Sequence, residues 1–474
     1  MDVGTVKSGS ESSARLEEFV KRVRLPVSAE MAFKWHARPG AFERVSPPWE
    51  AVRVVERSGE GIADGSRIML EVRVGPFCQH WIAEHCDFRD GEQFRDVQRS
   101  GPFAHWDHVH RFEADGPDGC FLEDRIAYAL PGGSIGHMLG GRYVRDKLER
   151  TFAYRHRLTR DDLAAHANWK GAPAMNVLVS GSTGLVGSAL VPFLTAGGHQ
   201  VTPLVRSTAS DGKSVRWDPS AGTIDAAGLE GFDAVVHLAG ENVASRRWNA
   251  EQKARIRDSR VKGTRLLCEA LAKLDRSPRV LVCASAVGFY GDRGDEVLTE
   301  ESQPGMGFLS DVCREWEDAA RPAIDKGIRV VHLRYGVILS PKGGALAKML
   351  TPFRMGVGGV VGSGKQYMPW VSLDDAIGAT HHALMDESLR GPVNVVAPHP
   401  ATNLEFTKTL GRVLWRPTIF PMPAFAARLA FGEMADALLL ASTRVEPRRL
   451  LAAGYAFRYP QLEDALRFLL GKPG

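Results

Sequence analysis

The sequence lacks most of what would mark a secreted, membrane-bound or nucleic-acid-binding chain. Six of its 474 residues are cysteine (Cys78, Cys86, Cys120, Cys268, Cys283, Cys313), and no two form a C-x-x-C pair. Cysteine so sparse and unpatterned argues against a disulfide framework or a zinc-thiolate site and reads as the reduced thiols of a cytoplasmic protein. Charge of one sign is scarce as well. Sixty basic against 56 acidic residues leave a net of +4, which makes no electrostatic case for nucleic acid or an anionic membrane. The first eighteen residues have no apolar run of the signal-peptide kind. The most apolar late stretch, 424–441, is interrupted by Arg428, Glu433 and Asp436 and reads as packed helix, not as a membrane span. What is there is ordinary globular material, 44% hydrophobic and 24% charged, enough for more than one core.

Two textures divide the chain. Residues 1–18 are expected to be a mobile tail. Residues 19–162 are strand-rich, with short runs at 52–55, 67–74, 80–87, 108–112 and 122–130 separated by turn signals such as Asp64-Gly65 and Asp90-Gly91. A short helix is predicted to start from Ser28 as N-cap and to stop before Pro39. A longer one over 141–157 sets Val144, Leu148 and Phe152 four residues apart on one apolar stripe. This predicts a sheet curled around the final helix, with a cavity between them. A connector is expected over 163–174. From 175 to 390 apolar strands alternate with helical segments, the pattern of a parallel sheet with crossover helices. Residues 391–474 are expected to form a small, largely helical subdomain on the substrate side. The fold class is thus two-domain: an α+β domain followed by a doubly wound α/β domain.

The strongest motif is Gly181-Ser182-Thr183-Gly184-Leu185-Val186-Gly187, set between an apolar strand and an amphipathic helix. Gly181 permits a tight turn, Gly184 lets a pyrophosphate approach the backbone, and Gly187 lets the helix pack on the strand. The helix N-terminus offers unpaired N–H groups to phosphates. All seven residues are candidate dinucleotide contacts. An NAD-selective fold commonly ends its second strand with Asp or Glu about 20 residues further on. Here the strand over 201–205 is followed by Arg206-Ser207. A guanidinium there suits a 2′-phosphate, which favours NADP(H) over NAD(H).

Taken with His237-Leu238-Ala239-Gly240 and the run from Ala284 through Ser285 to Tyr290-Gly291, the glycine spacing resembles an extended short-chain dehydrogenase/reductase. More narrowly, it is similar to the atypical sugar-nucleotide-epimerase-like family sometimes labelled cell-division-inhibitor-like. Glu241-Asn242, Trp248, residues 305–316 and Gly432-Glu433 fit that subgroup, and the likeness covers about 175–470. It implies that Leu238, Ala239 and Gly240 line the cofactor. The family's reductive chemistry uses a Tyr and a Lys four residues later. The matching positions here are Leu309 and Cys313, which cannot do that work. Ser285, at or next to the place of the family's catalytic Ser, and Tyr290, usually structural in relatives, are the catalytic candidates that remain. Cys313 as a nucleophile has no paired His in sequence.

Residues 19–162 resemble a START-like helix-grip domain of the SRPBCC superfamily. The resemblance rests on element order, on Ser46-Pro47-Pro48-Trp49, on the run from Gly101 to His110, and on the closing helix. It implies an apolar ligand held within a curved sheet. Trp49, Trp81, Phe103 and Trp106 would line that cavity or serve as plain core. His105, His108 and His110, with His80 and His85, raise the question of a metal. His108 and His110 share a strand face with Trp106, but no carboxylate or cysteine completes a ligand spacing in sequence. Pairing with neighbouring strands is expected instead, and no metal. Three readings follow: an NADP(H)-dependent oxidoreductase or epimerase acting on a small carbonyl or sugar-nucleotide-like substrate, a non-catalytic NADPH sensor coupled to the helix-grip domain, or an interaction protein on a relic fold.

Overall fold

Burial of every second residue runs through the first strands. In Glu17–Leu25 (β1), Phe19 and Leu25 point inward while Glu18, Val20, Arg22 and Arg24 are exposed. The computed structural model describes residues 16–74, 77–207 and 214–473, which fall into two compact units dividing between Ala167 and Asn168. Of the tail expected over 1–18, residues 1–15 lie outside the described residues, and Glu17 and Glu18 are already strand.

After β1 come two short helices, Ala29–Ala37 (α1) and Ala41–Val45 (α2). Ser28 caps α1 as predicted, its side chain accepting from Met31 N. Then follow Val52–Ser58 (β2), Arg67–Val74 (β3), Phe77–Arg89 (β4), Gln93–Ser100 (β5), His105–Ala114 (β6) and Cys120–Ala129 (β7), and the 35-residue helix Gly133–Ala167 (α3). The strands form one antiparallel sheet in the order β1-β7-β6-β5-β4-β3-β2. Leu148 and Phe152 of α3 pack with Phe19, Trp106, Ile126 and Tyr128, and the partly buried Val144, Trp81 and Phe103 close the cluster. α3 outruns its predicted ends and takes up the first five residues of the expected connector. Asp162, fully buried on it, holds the Arg44 guanidinium of α2 through two contacts of 2.7 and 2.9 Å.

The second unit contains Asn176–Ser180 (β8), Gly187–Ala196 (α4), Gln200–Val205 (β9), Val215–Asp218 (β10), Thr223–Ile224 (β11), Ala234–His237 (β12), Ala250–Ala272 (α5), Val280–Ala286 (β13), Phe308–Asp318 (α6), Arg329–Tyr335 (β14) and Gly391–Val395 (β15). Its sheet runs β11-β10-β9-β8-β12-β13-β14-β15, parallel except for β11. Chain order reverses between β8 and β12, so a crevice opens beyond their carboxyl ends. β15 lies past residue 390, so the sheet takes its last strand from the stretch expected to be a separate subdomain. The late apolar stretch also differs from expectation. It is helical, but the helix breaks at Gly432, which takes φ +63°, before resuming at Glu433, and Phe425 and Leu429 are exposed, not packed. Among the described residues no helix is long and apolar enough to cross a membrane.

Candidate active site

The glycine turn sits at the reversal point of the sheet. Gly181 has φ +68°, and a Cβ there would lie 2.8 Å from Leu238 C and 2.9 Å from Ala239 N. At Gly187 a Cβ would lie 2.7 Å from Ser182 Cα and would run into the Gly181 carbonyl oxygen. Gly184 is different: it is exposed, and a Cβ would meet only Gly181 O, at 3.2 Å. Gly181 and Gly187 are therefore required by the fold, whereas Gly184 leaves open backbone facing outward, a surface suited to a phosphate. Thr183 and Gly240 are exposed beside it, and Ser182, Leu185, Val186, Leu238 and Ala239 are half-buried. Arg206 and Ser207 are exposed past the end of β9.

A buried hydrogen-bond chain that sequence reading missed fixes this turn against the next strand. Ser180 Oγ accepts from Leu238 N (3.1 Å) and Ala239 N (3.3 Å), so its own proton goes to His237 Nδ1 at 2.7 Å. His237 Nε2–H then donates to Thr264 Oγ1 at 3.0 Å, which also accepts from Trp316 Nε1 at 2.8 Å. Burial pushes the His237 pKa down to about 4, in keeping with a neutral ring. The sequence signal was present: His237 and Ser180 end two apolar strands, where a polar residue needs a partner.

At the end of β13, Ser285 is buried and donates to Glu317 Oε1 at 2.7 Å. Glu317, on α6, is held by Arg334 of β14 through two 2.8 Å contacts. Arg334 Nη1 also donates to Tyr290 Oη at 3.0 Å, and Tyr290 donates to Asn394 Oδ1 at 2.7 Å. Tyr290 is fully buried with its proton committed to Asn394, and burial raises its pKa. The structure thus corrects its candidacy as an acid: it braces Arg334. Leu309 and Cys313 pack against the turn at Gly288. Burial lifts the Cys313 thiol to about 12, which favours the protonated thiol over the nucleophilic thiolate near neutral pH. Ser285 thus lies in a buried network with Glu317 and Arg334, partners that sequence reading had not named.

The interior of the first unit holds a second polar cluster. His108 Nε2 lies 2.9 Å from Asp124 Oδ1, and its Nδ1 lies 3.3 Å from Asp96 Oδ1. His110 Nε2 lies 3.3 Å from Asp96 Oδ1, and its Nδ1 lies 2.7 Å from Asp124 Oδ1 without an aligned hydrogen bond. His156 of α3 meets Asp124 Oδ2 at 2.5 Å, and Trp106 Nε1 donates to Asp96 Oδ2 at 3.3 Å. Burial works against ionisation of Asp96 and Asp124, but the surrounding histidines more than offset it and hold both carboxyls well below the usual range. Pairing with neighbouring strands is thus seen. The carboxylates missing from the local sequence come from β5 and β7. Of the other histidines, His80 and His105 are exposed and His85 is half-buried.

A doubly wound sheet with a glycine turn at its reversal point and a polar side chain at the end of β13 defines a nucleotide-binding Rossmann protein of the reductase–epimerase class. Residues 177–396 match the NAD dependent epimerase/dehydratase family, and residues 25–161 match the polyketide cyclase / dehydrase and lipid transport family. A domain of unknown function matches 422–469. The epimerase family protein MT2273 of Mycobacterium tuberculosis is 44% identical over 63% of this chain and 98% of its own. The human epimerase family protein SDR39U1 is 40% identical over 62% and 99%. Among solved structures, a nucleoside-diphosphate sugar epimerase from Corynebacterium glutamicum is 35% identical, with a TM-score of 0.78 over 96% of this chain and 90% of that one. Human SDR39U1 (isoform2), solved with NADPH, is 38% identical, with a TM-score of 0.58 over 62% and 99%. The chain belongs to the NAD dependent epimerase/dehydratase family, with a polyketide cyclase-like unit ahead of the epimerase unit.

Proposed function

We propose that the second unit binds NADP(H) over the Gly181–Gly187 turn and acts as an oxidoreductase or epimerase on a carbonyl or sugar-nucleotide-like substrate. The observation that carries this reading is the cradle itself. Two of its glycines are required by close backbone contact, and the third leaves open backbone at the helix N-terminus. Arg206 at the end of β9 favours the 2′-phosphate, and a relative 38% identical over the same unit was solved with NADPH.

When bound, the cofactor supplies or accepts the hydride. This chain's residues handle the proton. Ser285 directs its own proton to Glu317, so its lone pairs are left to accept from a substrate hydroxyl. In the oxidative direction, as hydride leaves the carbinol carbon, the hydroxyl proton moves to Ser285 Oγ and the Ser285 proton moves to Glu317. Reduction runs the same path in reverse. Arg334 provides the counter-charge that keeps Glu317 in place. This relay stands where Leu309 and Cys313 replace the Tyr–Lys pair.

The first unit would hold a small, mainly apolar ligand between its sheet and α3, against Trp81, Phe103 and Trp106. A cytoplasmic setting suits six cysteines that are all free thiols, four of them buried.

Fluorescence titration with NADPH and NADH tests the cofactor assignment, and transfer of deuteride from labelled NADPH to candidate carbonyls tests the reaction. Failure to bind either nucleotide would overturn the proposal. Binding of NADPH with no transfer to any carbonyl would favour the sensor reading.

A further inference from the structure

We propose that the interior of the first unit is a binding site for one divalent first-row metal ion of the kind imidazole favours, Zn²⁺ or Fe²⁺, ligated by Asp96, His108 and His110.

Ligand atoms of these three side chains all lie within 4.8 Å of one another, on the adjacent strands β5 and β6. The distances separate two kinds of contact. On the Asp124 side His108 Nε2 stands at 2.9 Å in hydrogen-bond geometry, and His110 Nδ1 at 2.7 Å without an aligned hydrogen bond. On the Asp96 side the other nitrogen of each ring stands at 3.3 Å, long for such a bond. Metal–ligand bonds of about 2.0–2.1 Å in a tetrahedron place neighbouring ligand atoms about 3.3 Å apart. Asp96 Oδ1 therefore already stands at that spacing from both His108 Nδ1 and His110 Nε2, two edges of such a tetrahedron.

The surrounding shell has the form that metal sites use. A ligating histidine characteristically offers its other nitrogen to a carboxylate, and a ligating carboxylate is itself hydrogen-bonded. Asp124 faces the outer nitrogen of both histidines and is anchored through its second oxygen by His156, and Trp106 donates to the second oxygen of Asp96. Charge agrees as well, since one divalent cation balances the two buried carboxylates with all three imidazoles neutral. Two histidines and one carboxylate leave at least one coordination position for water or a ligand oxygen. Arg155, beside His156 on α3, has a buried Nε without a hydrogen-bond partner, and its charge interacts with Asp124 and Asp96, which suits an anionic ligand nearby.

The test uses the full chain, free of any affinity tag and stripped with a chelator, titrated with Co²⁺ and then with Zn²⁺ as competitor. One equivalent of Co²⁺ with visible d–d absorption, displaced one for one by Zn²⁺, is expected. His108→Ala and Asp96→Asn should each remove that equivalent. Asp124→Asn should keep it while weakening affinity about 10–100-fold. Wild-type protein that takes up no equivalent overturns the proposal, as does an equivalent that survives in both ligand variants. If a variant fails to fold, X-ray absorption of Zn²⁺-loaded wild type decides. Two imidazoles with oxygen at about 2.0–2.1 Å support the site, and sulfur ligation or a single imidazole overturns it.

Discussion

Ser285 Oγ stands 2.7 Å from Glu317 Oε1 and gives that carboxylate its proton, while Arg334 grips the same carboxylate through both of its oxygens. Replacing Ser285 with Ala should therefore break proton transfer without disturbing the nucleotide cradle. Hydride transfer should fall by about 10²-fold or more, the range for loss of a positioned acid–base group, with NADPH affinity changed less than about threefold. Single-turnover rates and a binding isotherm on the same preparation separate the two effects.

The same network sets a stability prediction. The side chains of Arg334 and Glu317 are only 4% and 12% exposed, so Glu317→Ala leaves a buried guanidinium without its counter-charge. The expected cost is about 3–5 kcal/mol, read from denaturant unfolding. Glu317→Gln keeps one hydrogen bond to Ser285 or Arg334 and should cost less while losing activity to a similar degree.

The glycines of the turn should respond differently. Gly187→Ala drives a Cβ into Ser182 Cα and the Gly181 carbonyl, so it should lower the thermal midpoint and abolish NADPH binding together. Gly184→Ala meets only one neighbour, at 3.2 Å, and should leave the midpoint near wild type while weakening NADPH binding at least about tenfold, through crowding of the phosphates.

Arg206→Asp should invert nucleotide preference, because a carboxylate repels the 2′-phosphate and suits a free ribose hydroxyl. NADPH should weaken by about tenfold or more and NADH should not weaken. Competitive titration reads the ratio directly.

His237 gives a pH signature. Its pKa falls from the ordinary 6.5 to about 4 on folding, so between those values the unfolded chain binds the extra proton. Stability from this group is complete above about 6.5 and is lost as pH falls toward 4, by about 3 kcal/mol across the window. Protonation at Nδ1 would also contest Ser180 Oγ, already occupied by two backbone amides. His237→Gln should flatten the pH dependence of unfolding between 7 and 4.5 relative to wild type.

The doubly wound half was legible because its signals are local. A strand, a G-x-x-G-x-x-G turn and a helix occupy consecutive residues, and Arg206 follows at a fixed distance. The helix-grip half was legible in element order but not in its interior. β1 and β5 escaped notice because both are crowded with charge: Glu17, Glu18, Lys21, Arg22 and Arg24 in one, Arg95, Asp96 and Arg99 in the other. β5 is the strand that brings Asp96 to the histidines. Missing it removed one of the two carboxylates that His108 and His110 share. Glu317 was hidden for another reason. It lies 32 residues from Ser285, and such a pairing is set by how α6 packs on the sheet, not by spacing.

Trp316 and Glu317 are consecutive, yet they face different tasks: one ends the chain of contacts behind the glycine turn, and the other receives the Ser285 proton. The brace behind the glycine turn and the partner of Ser285 are thereby keyed to a single peptide unit of α6. Successive helix residues differ by about 100° in direction. One residue inserted between Phe308 and Trp316 would thus turn both side chains away from their partners at once. One inserted after Asp318 would spare both. The glycine turn and the Ser285–Glu317 pair are indexed by the phase of one helix, and the flanking loops can change length only where they leave that phase untouched.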